Sequence, residues 1–200
     1  NKNTAAMKER IINLATRYEA CRIGVEPEAL RAFIDVESSG QGFDTATGKI
    51  IIQFEPVWFR RHEPFAPSGA WSINKVERQA KEWAAFNDAW SINPESAMKS
   101  TSIGMGQVMG FHFERLGYKT VGEMWDDAKR GEERQIHQMA EFINTDQRLI
   151  KALREKDWHQ VARLYNGAGY QEVAKKYNRT PYNISMAEAY ARHKKQETFR

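Results

Sequence analysis

Residues 33–40 read FIDVESSG, and an acid stands where the helical pattern asks for a hydrophobe. Leu30, Phe33 and Ile34 recur at helical spacing, and Glu37 holds the next position on their stripe. Ser38, Ser39 and Gly40 follow and break the helix. A carboxylate on an apolar face costs free energy unless it is paired or protonated. Small residues leave open space beside it, and an apolar wall disfavours the charged form and raises the pKa. A carboxyl kept protonated near neutral pH is what a general acid needs. A capping or ion-paired glutamate accounts for this stretch equally well.

Outward from Glu37, most of the chain keeps helical period. Met7, Ile11, Leu14, Ala15 and Tyr18 mark a preceding helix, with Cys21 on its stripe as a buried, inert thiol. After Gly40 the pattern changes. Thr47-Gly48 is a turn signal and Ile50–Ile52 a β-branched run, so residues 43–54 are expected to form a small hairpin. Pro56 opens a short helix, and residues 64–72 read as a loop. Val76, Ala80, Trp83 and Trp90 mark another helix, and Asn93-Pro94 caps the next. The Gly-rich stretch STSIGMGQVMG, residues 100–110, is expected to lead into a helix burying Met109, Phe113 and Leu116. Further stripes run through Ile136–Ile143, Leu149–Leu153 and Trp158–Tyr165, the last closed by Asn166-Gly167. A final helix is expected over residues 181–195.

The chain has 200 residues, enough for one domain, residues 1–200, with a real core. Its 23 aromatic side chains suit a packed core, and also a surface that stacks on flat ligands. The net charge of +4 favours anionic partners, yet beyond RHKK near the C-terminus no basic cluster supports nucleic acid. One cysteine permits no internal disulfide. No apolar run is long enough to span a membrane, and no signal peptide is visible. A chain that opens on Asn1 leaves room for an upstream segment. His62-Glu63 lacks the second histidine of a zinc helix, and the five histidines are scattered, so no metal is expected. No nucleotide or dinucleotide fingerprint occurs, so no cofactor is expected either.

Three stretches occur in order: VESSG at residues 36–40, STSIGMGQVMG at 100–110 and ARLYNGAGY at 162–170. They resemble the three motifs shared by goose-type lysozymes and soluble lytic transglycosylases. The chain as a whole, over roughly residues 5–195, resembles the N-acetylmuramidase domain of phage endolysins, with its Phe-Glu-Pro after the hairpin and its late Tyr-Asn-Gly. Each motif alone is weak; their order and helix placement make the resemblance specific.

The resemblance implies a mainly α, lysozyme-like α+β fold: a helical globule with one small β-hairpin flanking the active-site cleft. It implies a glycosidase of the bacterial cell wall that cleaves the β-1,4 bond between N-acetylmuramic acid and N-acetylglucosamine. Glu37 takes the role of the acid that protonates the leaving oxygen. Glu55, held extended by Pro56, is the leading second carboxylate, with Asp44 behind it. Their structural alternatives are a helix cap or a pair with Arg60 or Arg61 for Glu55, and a turn aspartate for Asp44. Gln107 matches a glutamine that lines the substrate site, where Ser102 and Gly104 allow close approach to the backbone. Here the chain reads Gly-Met-Gly-Gln, not Gly-x-Met-Gln. Tyr165 sits on an apolar stripe and matches a tyrosine whose hydroxyl reaches the catalytic glutamate; Asn166 holds the helix end or touches sugar.

Peptidoglycan strands are the expected partner of a monomer that binds no nucleic acid and does not insert in a membrane. The chain is expected to accumulate in the cytoplasm and be released to the wall, or to be exported if an upstream signal has been removed. The rival readings are a lytic transglycosylase, which needs only one acid, and an inactive wall-binding module.

Overall fold

The computed structural model describes residues 1–200, which form two compact units: residues 1–40 with 139–200, and residues 41–138.

The first unit opens with α1 (Lys2–Ile23), capped by the Asn1 side chain and closed by Gly24 in the left-handed region at φ 76°. Pro27 starts α2 (Pro27–Ser38), where its missing N–H costs nothing. Ser39 and Gly40 end α2 with successive positive φ values of 53° and 77°. That reversal follows two residues behind Glu37.

The second unit begins with a narrower hairpin than expected. Phe43 and Ile50 form a single antiparallel bridge around the turn. β1 (Ile52–Phe54) then leaves the hairpin, because its partner is a strand from far along the chain. α3 (Pro56–His62), a 3-10 turn at Ala70–Ile73, α4 (Gln79–Ile92) and α5 (Pro94–Lys99) follow. Next come β2 (Thr101–Ile103) and β3 (Val108–Met109). The stretch expected to enter a helix is therefore a second hairpin, followed by only a short 3-10 turn, Gly110–His112. α6 (Val121–Ala128), which the sequence pattern did not suggest, ends this part.

The strands form one antiparallel sheet in the order β1-β2-β3, with Gln53 opposite Ser102 and Ser102 opposite Met109. Side chains satisfy the open edge of β1. Gln79 bonds the N–H and C=O of Ile52, Glu82 accepts from the Phe54 N–H at 2.8 Å, and Asn74 donates to the Phe54 carbonyl. An edge so occupied cannot recruit another strand. Glu82 is 1 % exposed, and its carboxylate also accepts from the Glu77 N–H and the Asn74 amide. Those donors let a charge stay buried.

α7 (Glu132–Asn144) begins in the second unit and ends in the first. α8 (Gln147–Glu155), α9 (Trp158–Tyr165), α10 (Tyr170–Lys176) and α11 (Tyr182–Lys195) complete the first unit. α10, polar and short, left no periodic signal. The core of this unit includes Leu30, Phe33, Ile34, Ile143, Val161 and Met186, all fully buried. Burial of each large apolar side chain stabilises the fold by about 1.5–3 kcal/mol.

α11 packs against α2, and an ionic brace joins α1, α2 and α11. Arg31, 4 % exposed, bonds Glu9 and Asn13 of α1. Asp35 accepts from Arg192 at 2.8 Å and meets His193 Nε2 at 2.6 Å.

Two expectations about α1 and α4 fail. Cys21 is exposed, and Leu14 and Tyr18 on its stripe are 57 % and 68 % exposed. The face α1 buries carries Ile12, Thr16, Glu19, Ala20 and Ile23 instead. Val76 lies outside α4 and is exposed.

Candidate active site

In the first unit Glu37 occupies the last turn of α2, next to the fully buried Phe33 and Ile34. The Tyr182 hydroxyl, from the start of α11, donates to Glu37 Oε1 at 2.8 Å. Tyr165, the last residue of α9, packs its ring on Phe33 with centroids 4.4 Å apart and edge-on to Phe142 at 5.3 Å. The residue Glu37 as a whole keeps part of its surface in solvent, but its carboxyl is poorly solvated. Burial pushes that carboxyl up to about 7, and the Tyr182 hydrogen bond pulls it partly back. The tyrosines respond in turn. Burial, and then the neighbouring Glu37 charge, raise both Tyr165 and Tyr182 well above the ordinary phenol value. Neither phenol ionises near neutral pH, so Tyr182 stays a donor.

Asn166 caps the C-terminal end of α9, is exposed, and leads into Gly167 at φ 133°. Ser38 does not face Glu37 with a free hydroxyl; it donates to the Ile34 carbonyl.

In the second unit Glu55 follows β1 on the face opposite the buried Ile52 and Phe54. Gln53, on the same face, donates to Glu55 Oε1 at 2.9 Å, and the Glu55 N–H donates to the Ser100 carbonyl. Neither structural alternative is realised. Glu55 occupies the cap position of α3 without a side-chain cap bond. Arg60 instead donates to the Pro64 and Ala66 carbonyls, and Arg61 lies over the Trp58 ring. Burial, and then the nearby charge of Glu82, raise the Glu55 carboxyl above its ordinary value; Gln53 opposes that rise. Asp44 is a turn residue, accepting from the Ala46 N–H and the Thr47 hydroxyl.

Ser102 and Gln107 are joined. Gln107, at φ 50° in the β2–β3 turn, accepts from the Ser102 hydroxyl at 3.0 Å. Its amide donates to the Ile51 and Gly104 carbonyls. Both ends of the Gln107 side chain are thus spent on the hairpin. Gln135 of α7 supports the same turn from below, accepting from the Met105 N–H and donating to the Ala128 carbonyl. A Cβ on Gly104 would lie 2.8 Å from Gln135 Oε1, so glycine is needed there for space as well as for its φ of 73°.

The structure therefore brings Glu37 and Tyr165 together in one unit and Gln53, Glu55, Ser102 and Gln107 along one sheet in the other. Sequence reading missed Tyr182, Glu82 and Gln135. Tyr182 is 145 positions from Glu37, and its only signal was Pro181 just before a helix start. No group of three or more His, Cys, Asp or Glu side chains is arranged to hold a metal ion, and no helix is long and apolar enough to cross a membrane.

A family model for N-acetylmuramidases matches residues 26–194. Among solved structures the chain is similar to the Burkholderia AP3 phage endolysin, with a TM-score of 0.76 and 30 % identity over 92 % of this chain and 71 % of that one. No curated protein matches. The mainly helical fold with its small sheet is that of lysozyme-like endolysins. With most of its length matched, the chain belongs to the N-acetylmuramidase family, the glycoside hydrolases that degrade peptidoglycan.

Proposed function

We propose that the chain hydrolyses the β-1,4 bond between N-acetylmuramic acid and N-acetylglucosamine, with Glu37 as the general acid. The observation that carries this reading is the state of Glu37: a carboxyl pushed up to about 7 and oriented by the Tyr182 hydroxyl at 2.8 Å. With Oε1 engaged by Tyr182, Oε2 is left to carry the proton. It protonates the glycosidic oxygen as the C1–O bond breaks and positive charge grows on the sugar ring. Burial makes that proton available near neutral pH.

Glu55 is the candidate second carboxylate, fixed by Gln53 and free of any cap or arginine partner. Ionised, it would stabilise the sugar cation or activate water. Ser102 and Gln107 serve the glycan by holding the β2–β3 turn in shape, consistent with their internal bonds. Tyr165 and Asn166 are the candidates for sugar contact at the end of α9. Residues 1–200 are read as one lysozyme-like domain, acting as a monomer on glycan strands and not on nucleic acid. Such a chain would accumulate in the cytoplasm and reach the wall on release, or reach it by export if made with a signal.

The test is mass spectrometry of fragments released from purified peptidoglycan, with and without borohydride reduction. Reducible muramic ends are expected. Anhydro-muramic ends would replace hydrolysis by transglycosylation and return Glu55 to a structural role. No release at all would leave a wall-binding module.

A further inference from the structure

A second apolar seam runs along α1 on the side away from its core contacts. Met7, Ile11, Leu14, Tyr18 and Cys21 recur at alternating steps of four and three residues. Met7, Ile11, Leu14 and Tyr18 are 65 %, 46 %, 57 % and 68 % exposed, and Cys21 is exposed with them. The residues α1 buries, among them Ile12, Thr16 and Ile23, project from the opposite side of the helix. α1 thus has two apolar faces. One seals against its own unit and the other is open.

The spacing and the charge together say what fits there. Strict four–three spacing makes the narrow seam of a coiled coil, whereas helices that lie in a lipid surface present a broad apolar face. The rows beside the seam hold Lys8, Ala15 and Arg22 on one side and Arg10 and Arg17 on the other, with no acid in either. Arg22 is compensated by Glu19 at 2.7 Å and Glu141 at 2.5 Å. Arg17 also donates to the Phe199 carbonyl, which leaves its charge uncancelled. A second copy in parallel register would set Arg10 against Ala15 and Arg17 against Arg22 and bring no acid to either row, so self-pairing gains no charge complement. A helix with acidic flanking rows would complement it. α1 also precedes the stretch that the family model matches, residues 26–194.

We infer that α1 is a docking helix, whose Met7–Ile11–Leu14–Tyr18 seam and flanking Arg10 and Arg17 pair with an acid-flanked amphipathic helix of a partner. The probe is a synthetic helix of about three heptads, with leucine at the seam positions and glutamate in the flanking rows, followed by fluorescence anisotropy. Binding that weakens with salt is expected, together with a loss of about tenfold or more for Leu14→Glu and for Tyr18→Glu. Both positions are exposed, so folding and peptidoglycan hydrolysis should be unchanged in both variants. Equal binding of a lysine-flanked peptide, or no binding, overturns the inference. So does a concentration-dependent dimer in sedimentation that Leu14→Glu abolishes, which would make the occupant a second copy. Seam-dependent binding to phosphatidylglycerol vesicles but not to the peptide would make it a lipid surface and overturn the inference as well.

Discussion

Two carboxyls, one in each unit, are raised above their ordinary pKa by different neighbours. Glu37 has burial and a tyrosine hydroxyl, and no cause in its environment is a second charge. Glu55 has burial, an amide donor and the charge of Glu82. Poor solvation of Glu37, with no charged neighbour to set its state, keeps a proton on it near neutral pH, which suits an acid. Placing an amide donor on a carboxyl favours its ionised form, which suits a base or an electrostatic stabiliser. Unequal environments are how two residues of one chemical type take two roles.

The strongest way to break this comparison is Glu37→Gln. Hydrolysis of peptidoglycan should fall by about 10³-fold, with the circular dichroism spectrum unchanged. The same variant should gain stability at alkaline pH. The folded carboxyl holds its proton up to about 7 while the unfolded one releases it near 4.5, so the folded state binds more protons between those values. Native stability therefore falls as pH rises through that window. Glu37→Gln removes the loss, a gain of at most about 3 kcal/mol at pH 8 and almost none at pH 4. Thermal unfolding at the two pH values measures it; equal shifts at both would mean that Glu37 is well solvated.

Glu55→Gln should lower hydrolysis less, by about 10- to 100-fold, because the amide keeps the bond network but cannot carry negative charge. Unchanged turnover with anhydro products would show that one acid suffices. Tyr182→Phe should have the smallest effect and sharpens the assignment of the acid. Its hydrogen bond holds the Glu37 pKa down, so losing it raises that pKa further. Activity that requires a protonated Glu37 then persists to higher pH. The falling limb of the kcat/KM profile should move up by up to about one pH unit, with little change on the acidic side. A limb that stays in place would show that Tyr182 does not act on the acid.

Much of this was legible in the chain. The α2 stripe gave Glu37 its face, Ser39 and Gly40 ended the helix beside it, and Pro56 and Pro94 each began a helix as read. These are local effects of φ restriction and of period, and they need no partner. The β segments were harder. Residues 43–54 carry a real turn signal, but β1 finds β2 some 50 positions away, and nothing in a strand's own residues names its partner. The same gap hid the 100–110 hairpin, whose turn depends on Gln107 bonding Ser102 and on Gln135 beneath it.

The sequence by itself determined which residues could carry chemistry and which helix end would present Glu37, because period and backbone restriction act over a few residues. It could not determine how acidic Glu37 is. That depended on burial and on Tyr182 arriving from a helix far along the chain, and a pKa answers to solvation and contacts, which only packing creates. Nor could it tell which of the two apolar faces of α1 is buried. Both have helical spacing, and the choice fell to the face that fits α2.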